Sequence, residues 1–307
     1  MENQTIITEF ILLGLSSDPQ VQIFLFFLFL IIYATTLLGN SVIIFLIKTE
    51  PGLHTPMFFF LSHLAFVDIC YSSVTVPKML ENFVAKQKTI SVVGCFAQIF
   101  FFLQFACAEF YLLSAMAYDR YVAICDPLHY STIMKKRICR QLVGGTWVIG
   151  LFDAVLNTLP LKNLTFCRFN TIPFYTCELP PVLSLSCSES FTNYMLTLAS
   201  VFLFGIIPFL LTLISYIYII SSILKIHSAK GKSKAFSTCS SHLIVVCLCY
   251  FSVFSRYMKP NSKSFKHLDS VLSIQYNIIT PMLNPIIYSL KNKEIKNIFQ
   301  KRFRNSR

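Results

Sequence analysis

Long apolar stretches without a charged side chain constrain this sequence more than any other feature. Residues 21–47, 190–224 and 270–290 contain no Asp, Glu, Lys or Arg. A helix needs roughly 20 residues to cross a hydrocarbon core about 30 Å thick, and each stretch is long enough. Similar stretches cover residues 55–76, 89–118, 141–161 and 235–255. The sequence therefore predicts seven membrane-spanning helices, which we number span 1 to span 7 along the chain.

The composition supports a helical membrane protein. Hydrophobic residues make up 55% of the 307 residues and charged residues 13%, which leaves few polar side chains to cover a soluble protein. A membrane β-strand alternates its two faces over about 10 positions, whereas these stretches are continuously apolar. We predict an all-α membrane protein with a seven-helix bundle. It forms one domain over 1–307, with an extracellular N-terminus at 1–22, the bundle at 23–290 and a cytoplasmic tail at 291–307.

The positions of the positive charges predict the orientation. The formal net charge is +12, which on its own is also typical of nucleic-acid binding. With the N-terminus outside, the inner connections and the tail hold most Lys and Arg residues, and the fewer positive charges of the outer side are offset by seven of the 14 acids. The positive-inside rule therefore predicts an extracellular N-terminus and a cytoplasmic C-terminus in the plasma membrane. We expect the basic inner face to meet anionic lipids and an intracellular partner, and no nucleic acid.

Two sequons agree with this orientation. Residues 1–22 contain acids and no Lys or Arg, so they lack the positively charged start of a cleavable signal peptide. We expect span 1 to serve as the membrane signal. Asn3 and Asn163 each begin an Asn-X-Thr triplet on the predicted outer side, and both are predicted glycosylation sites.

Cysteines on the predicted outer side indicate disulfide bonds. Four of the 11 cysteines fall there, where disulfides persist: Cys95, Cys167, Cys177 and Cys187. Four cysteines allow three pairings, and their spacing does not choose among them. A metal site is the alternative, but no external histidines cluster with these cysteines.

Several short strings occur in a fixed order along nearly the whole chain. They are Gly39-Asn40, LHTPMFFFL at 53–61, MAYDRYVAIC at 116–125, PLHY at 127–130, Ser215-Tyr216, KAFSTCSSH at 234–242 and PMLNPIIYSL at 281–290. Together they resemble the odorant receptors among the rhodopsin-like G-protein-coupled receptors, and Thr55 resembles the tetrapod-type (class II) branch. His63 and Ala65 depart from the usual Asn and Ser, and Cys249-Tyr250-Phe251 departs from Phe-Tyr-Gly. We expect the first departure to alter the packing of span 2, and the second to place a bulky ring near the pocket floor.

The resemblance implies disulfides Cys95–Cys177 and Cys167–Cys187. It also places Asp68 and Glu109 near each other, with Asn40, Ser114 and Asn284 as polar neighbours. A hydrogen-bonded core that only packs the helices is one interpretation of this group. We favour a sodium or proton site, because two charged carboxylates repel in a medium of low dielectric constant.

The resemblance further implies coupling to a heterotrimeric G protein. The residues expected to take part are Asp119, Arg120, Tyr121, Tyr216, Asn284, Pro285 and Tyr288. An Asp119–Arg120 ion pair would hold the arginine until a G protein replaces its partner, with Tyr216 and Tyr288 regrouping around it. No carboxylate opens span 6, so a salt bridge from span 3 to span 6 is not expected.

Prolines and the tail predict two further features. Pro208 and Pro285 each remove a backbone hydrogen bond and allow a kink in spans 5 and 7. Apolar residues recur at helical spacing among the Lys and Arg residues of the tail: Ile295, Ile298, Phe299 and Phe303. They predict a short amphipathic C-terminal helix along the inner leaflet.

The predicted ligand pocket lies in the outer half of the bundle, about two to five helical turns from Arg120. Its lining is chiefly apolar, as in most small-molecule sites. The assigned residues are Phe102, Leu103, Ala106, Cys107, Phe204, Ile207, Phe251, Phe254, Tyr257, Ile274 and Asn277. Phe102 stands where amine receptors carry an aspartate, so we expect a neutral, hydrophobic, volatile ligand with one hydrogen bond to Tyr257 or Asn277. The resemblance implies that the output is a heterotrimeric G protein of the olfactory stimulatory type and a rise in cyclic AMP.

Other classes of function make different predictions. A transporter or channel is the main alternative, because intramembrane acids also mark ion pathways. Many transporters have paired halves with broken helices, and the sequence contains no such repeat. An enzyme is disfavoured, because no nucleophile–base grouping, metal-ligand cluster or phosphate loop occurs, and apart from the sodium ion considered above we expect neither a metal nor a cofactor. Chemical sensing outside the nose stays open, because only the tissue of expression separates it from olfaction.

Overall fold

The computed structural model of the chain is a bundle of helices joined by short connections. It describes residues 7–166, 170–257, 266–292 and 294–298, with the side chains at 234, 238, 252–257, 266–269, 290 and 291 left out. Spans 1 to 4 are the helices Pro19–Thr49, Pro56–Val84, Val92–Cys125 and Lys136–Thr158. Span 5 comprises Phe191–Ser200, a π-helical turn at Val201–Ile206 and Ile207–Lys225, and span 6 is Ala229–Tyr257. Span 7 comprises Lys266–Ile274, a π-helical turn at Gln275–Ile279 and Thr280–Lys291.

The spans have the length and apolarity that a membrane requires. Among the described residues, spans 1 to 5 each qualify on their own, and span 6 qualifies as a pair of helical segments bent by 46°. Span 7 is divided by its π-helical turn into α-helices of 9 and 12 residues. Large apolar side chains of span 1 remain exposed on the outside of the bundle, as with Phe24 at 65% and Ile31 at 64%. Each of the seven predicted stretches overlaps one span.

Local sequence signals explain where two of the spans begin. Asp18 accepts hydrogen bonds from the backbone N–H groups of Gln20 at 2.8 Å and Val21 at 3.3 Å, and Pro19 follows it at the first helical position. Ser91 caps span 3 by accepting a bond from the N–H of Gly94 at 3.1 Å. These caps pair backbone donors that the first helical turn leaves free.

A small sheet that the sequence analysis did not predict closes one end of the bundle. Strand β1 (Glu9–Leu12) lies between the antiparallel β2 (Thr89–Ser91) and the parallel β3 (Thr171–Ile172). Phe10 and Leu12 of β1 are fully buried. We call this sheet, together with the described residues of the connection between spans 4 and 5 (159–166 and 170–190), the lid. The end of the bundle that it covers is the lid end, and the opposite end is the Arg120 end.

Two disulfide predictions have different outcomes at the lid. Cys95 at the start of span 3 is bonded to Cys177 of the lid, with their Cα atoms 5.5 Å apart. Cys187 also takes part in a disulfide. Cys167 lies outside the described residues, so the Cys167–Cys187 pairing stays a prediction.

Glycine and proline set the closest contacts between spans. A Cβ atom on Gly39 would lie 3.0 Å from Cγ of Pro285, and one on Gly150 would lie 2.6 Å from the backbone oxygen of Gln104. Spans 1 and 7, and spans 3 and 4, therefore approach one another where a side chain would not fit. Pro285 has no N–H to pair with the carbonyl of Pro281, and Asn40 Nδ2 donates to that oxygen at 3.1 Å instead.

Candidate ligand-binding and coupling site

Six aromatic rings form a continuous row across the interior. We call them the aromatic cluster, and they come from spans 2, 3, 5, 6 and 7: Tyr71, Phe102, Phe110, Phe209, Tyr250 and Tyr276. Centroids of neighbouring rings are 5.0 to 6.5 Å apart, the range in which aromatic pairs attract. The cluster thus connects the spans from the lid side of span 2 to the middle of span 5.

A buried network of hydrogen bonds joins the aromatic cluster to the lid. Tyr71 Oη donates to Asn277 Oδ1 at 2.9 Å, and Asn277 Nδ2 donates to Tyr175 Oη at 3.1 Å and to Ser273 Oγ at 3.0 Å. Ser273 Oγ then donates to Glu178 Oε1 at 2.8 Å. We call these five residues the Asn277 network. Both Nδ2 hydrogens of Asn277 are used within it, which leaves only a second lone pair on Oδ1 for a ligand.

Most predicted ligand residues lie inside the bundle but do not form one group. Phe102 belongs to the aromatic cluster, and Ala106 and Cys107 are buried on the same helix. Leu103 packs against the apolar core beneath the lid, and Ile274 packs against a core that includes Phe29 and Val76. Phe204 and Ile207 are half-buried in span 5. The side chains of Phe254 and Tyr257 lie outside the described set.

The prediction that Phe251 lines the pocket is wrong. Its side chain is 68% exposed on the outside of span 6, whereas the preceding Tyr250 is 4% exposed and contacts Phe110 and Phe209. Consecutive helical residues point in directions about 100° apart, and on this turn of span 6 the buried face includes Cys249 and Tyr250 but not Phe251. Of these two residues, Tyr250 is therefore the one that faces the candidate pocket.

Two carboxylates are buried below the aromatic cluster. Asp68 and Glu109 are each 1% exposed and lie close enough to interact electrostatically. Asn284 Nδ2 donates to both oxygens of Asp68, at 3.1 and 3.0 Å, and Cys249 Sγ donates to Glu109 at 3.7 Å. Neither carboxylate has a Lys or Arg partner among the described residues. The described residues also contain no group of three or more His, Cys, Asp or Glu side chains that could hold a metal ion.

Two of the three expected polar neighbours bond elsewhere. Asn40 donates to backbone oxygens of Thr36 and Pro281. Ser114 Oγ lies 3.0 Å from the backbone oxygen of Phe110 and 2.8 Å from that of Pro208, and its single hydrogen is donated to one of these carbonyls. Both residues were expected beside Asp68 and Glu109. Proline explains the Asn40–Pro281 contact, because Pro285 leaves that carbonyl without its helical N–H partner, whereas the contacts with Thr36 and Phe110 are bonds to the preceding turn of the residue's own helix.

At the Arg120 end, Arg120 is paired with the neighbouring Asp119. Arg120 Nε donates to Asp119 Oδ2 at 3.0 Å, and Tyr130 Oη donates to Asp119 Oδ1 at 2.8 Å, so both oxygens of Asp119 are occupied. The side chains of Asp119 and Arg120 are 0% and 13% exposed. Burial and the nearby Asp119 carboxylate raise the pKa of Tyr130 above its ordinary value, so its hydroxyl stays protonated as a donor near neutral pH.

The remaining predicted coupling residues surround this pair. Tyr216 Oη of span 5 lies 2.7 Å from His242 Nδ1 of span 6, with the two rings stacked. Tyr121 contacts the rings of Tyr118 and Tyr218. Tyr288 is 1% exposed, and its hydroxyl has no hydrogen-bond partner in the described part of the chain. Pro285 packs against Gly39, as described above.

Comparison with known proteins assigns these features to one family. The olfactory receptor family profile matches residues 29–306. The chain belongs to the olfactory receptor family. Olfactory receptor 1E16 of Mus musculus is 48% identical over 98% of this chain and 96% of its own length. Olfactory receptor 8S1 of Homo sapiens is 51% identical over 96% of this chain and 81% of its own length.

A solved structure confirms the fold of this olfactory receptor. The crystal structure of squid rhodopsin matches it with a TM-score of 0.75 at 18% identity, covering 94% of this chain and 87% of the squid protein. The predicted seven-helix membrane fold and the predicted family are confirmed. The receptor is a multi-pass membrane protein of the G-protein-coupled class and not an enzyme.

Several functional candidates in the receptor were missed from the sequence. Tyr71 and Tyr276 contribute rings to the aromatic cluster, and Tyr175 and Glu178 bring the lid to span 7. Helical periodicity would have favoured Tyr250 over Phe251, given which face of span 6 is buried. Nothing in the sequence signals that an acid in a connection is buried against span 7.

The predicted glycosylation sites and the predicted C-terminal helix each include described residues. Asn163 is exposed at the lid end, and Asn3 lies outside the described residues. Asn292 caps a short helical segment at 294–298 by accepting bonds from the N–H groups of Glu294 and Ile295. Ile295 is buried against the bundle core, and Phe299 and Phe303 lie outside the described residues. Ile295 therefore packs on the bundle, and not only along the membrane surface as predicted.

Proposed function

We propose that this olfactory receptor binds a small, neutral, hydrophobic volatile molecule in the lid half of its bundle and activates a stimulatory heterotrimeric G protein, raising cyclic AMP. Residues 1–307 act as one receptor domain in the plasma membrane, with residues 1–22 outside and 291–307 in the cytoplasm. The observation that carries the proposal is the ion pair between Arg120 and Asp119. Its partner Asp119 is fully buried, and its two oxygens accept hydrogen bonds from Arg120 and Tyr130, so the arginine is held within its own helix until a G protein competes for it.

The residues near the proposed pocket favour an uncharged ligand. Phe102 presents a ring to Tyr71 and Tyr276, at a position where a carboxylate would be needed to bind an amine. Asp153 is a buried acid of span 4, and it already accepts a hydrogen bond from Asn157 Nδ2 at 2.8 Å. A ligand would therefore be held chiefly by burial of its apolar surface, which contributes about 25 cal/mol per Å².

Asp68 and Glu109 fit a site that holds a sodium ion or shares a proton. Two charged carboxylates in a buried site repel each other unless a cation or proton lies between them. The Asn284 amide already supplies two hydrogen bonds to Asp68, and its own oxygen has no partner among the described residues. That oxygen is a free ligand for a small cation.

The proposed mechanism is a shift between two packings of the bundle. A ligand that binds the active packing more tightly moves the population toward it. Span 6 would then swing outward at the Arg120 end, which requires the Tyr216–His242 hydrogen bond to break. Tyr288 has a buried hydroxyl without a partner in the described residues, and leaving such a group unpaired costs about 1–3 kcal/mol. A partner gained in the active packing would offset that cost.

The test is a cyclic AMP reporter assay in cells that express the full chain. A panel of volatile compounds is screened first, with alcohols and amines that share one carbon skeleton. We expect responses to the alcohols and not to the charged amines. Arg120→Ala should then abolish the response at unchanged surface expression, whereas Arg137→Ala, an exposed arginine at the same end, should leave it intact. An intact response in Arg120→Ala would refute the proposed role.

A further inference from the structure

A cleft at the Arg120 end lies apart from every site described above. It is formed by spans 1, 2 and 4 with the connections that precede spans 2 and 4, and its volume is about 740 Å³. Apolar side chains make up much of its wall, among them Ile44, Ile47, Phe59, Phe66 and Trp147. This volume lies within the range of about 300–1,000 Å³ that is typical of small-molecule sites.

The same cleft carries positive charge that is not neutralised. Lys48, Lys136 and Arg140 line it, each from an exposed position, and no acidic residue does. None of the three forms an ion pair with an acid in the described ranges. Glu50 is the acid nearest to Lys48 along the chain, and it does not line the cleft. A ligand of this cleft should therefore combine an apolar part with a negative charge.

The apolar wall includes residues on the outer surface of the bundle. Phe66 is 47% exposed, and its ring centroid lies 6.0 Å from that of Trp147. His63 also lines the cleft with its ring 4.9 Å from that of Phe59, and it adds a ring nitrogen to the wall. An exposed aromatic surface on a membrane span faces lipid chains. Lys48, Lys136 and Arg140 lie beside this aromatic surface, near the ends of spans 1 and 4.

We propose that this cleft binds an anionic phospholipid. The phosphate would lie among Lys48, Lys136 and Arg140, and one acyl chain would lie along Phe66 and Trp147. Basic residues beside a membrane attract anionic lipids by about 1 kcal/mol each, or about fivefold per residue. The apolar wall keeps the lipid in one place, which distinguishes this site from a diffuse basic surface.

The chain contains a single tryptophan, so Trp147 reports on the cleft without any labelling. The full-length receptor is reconstituted, as the only protein, into phosphatidylcholine liposomes that contain a small fraction of brominated phosphatidylserine, whose bromines quench tryptophan fluorescence. We expect stronger quenching than from brominated phosphatidylcholine at the same mole fraction. Lys136→Gln combined with Arg140→Gln should weaken the preference for the anionic lipid about 25-fold. Melting temperatures establish that each variant is folded.

A control double variant outside the cleft shows whether the lipid preference depends on the cleft or on the positive charge of this surface in general. Lys135 and Arg137 are exposed neighbours of Lys136 that do not line the cleft. Lys135→Gln combined with Arg137→Gln should leave the quenching unchanged. Equal quenching by the two brominated lipids, or an equal loss in both double variants, would overturn the proposal. Displacement of the lipid by soluble glycerophosphoserine would also overturn it, because the cleft would then be a site for free anions.

Discussion

The hydroxyl of Tyr216 in span 5 lies 2.7 Å from Nδ1 of His242 in span 6, and both residues are buried. No carboxylate opens span 6, and Arg120 is paired within its own helix to Asp119. The hydrogen bond between Tyr216 and His242, which we call the latch, therefore joins span 6 to span 5, and the described residues form no ion pair between spans 3 and 6. Opening of span 6 must break it.

Replacing His242 with Phe should raise the basal activity of the receptor. The variant keeps an aromatic ring beside Tyr216 but loses the hydrogen bond, which contributes about 1 kcal/mol, or about fivefold in the equilibrium between packings. We expect basal cyclic AMP to rise about fivefold at equal surface expression. His227→Phe, at an exposed position beyond span 5, is the matched control. Equal basal activity in His242→Phe and the wild type would show that the latch does not hold the resting packing.

Gly150→Ala should destabilise the receptor. The new Cβ would lie 2.6 Å from the backbone oxygen of Gln104, and a backbone atom cannot move aside as a flexible side chain can. Overpacking of this kind costs about 1–3 kcal/mol. Gly144→Ala and Gly145→Ala place a Cβ on the same helix with nothing within 4 Å, so they should leave the melting temperature unchanged or raise it. The measurement is the melting temperature of each purified variant. Equal melting temperatures for Gly150→Ala, Gly144→Ala and Gly145→Ala would contradict the close packing of spans 3 and 4.

Phe102→Ala should weaken the response to an odorant found in the panel. The change removes a ring that contacts Tyr71 and Tyr276, and the burial of such a side chain contributes about 1.5–3 kcal/mol. We expect the half-maximal concentration to rise by at least about tenfold. Phe101 is 47% exposed, so Phe101→Ala should respond like the wild type. A similar loss in both variants would place the odorant elsewhere.

Sodium should stabilise the receptor through Asp68. Replacing sodium with choline at constant ionic strength removes the small cation and restores the repulsion between Asp68 and Glu109. We expect the melting temperature of the wild type to fall, and that of Asp68→Asn to stay the same in both salts. Glu81→Gln changes an exposed acid and should keep the wild-type dependence. The sodium site is ruled out if Asp68→Asn depends on sodium as strongly as the wild type does.

The sequence predicts the spans well because each depends on a local property. A helix in a membrane must be long, apolar and internally hydrogen-bonded, and these requirements are visible in one stretch of residues. The seven spans and the family follow from such features. The ends of the helices are less visible: Thr89–Ser91, which we placed at the start of span 3, forms strand β2 of the lid.

The contacts between distant segments were harder to predict. Asn40 bonds the carbonyl that Pro285 leaves free, and this depends on how span 1 meets span 7. Glu178 is buried against Ser273, although an acid in a connection is ordinarily solvated. The error at Phe251 arose because the motif fixes its position along span 6 but not the rotation of the helix. Packing decides each of these, and packing is a property of the whole bundle.

Reconstitution tests most directly whether odorant binding at the lid end activates a G protein at the Arg120 end. The purified receptor in nanodiscs is mixed with a purified stimulatory G protein, and nucleotide exchange is measured with and without an odorant from the panel. We predict that the odorant accelerates exchange with the wild type and not with Arg120→Ala. An odorant that raises the melting temperature of the wild type, and therefore binds, yet leaves the exchange rate unchanged would contradict coupling between the two ends.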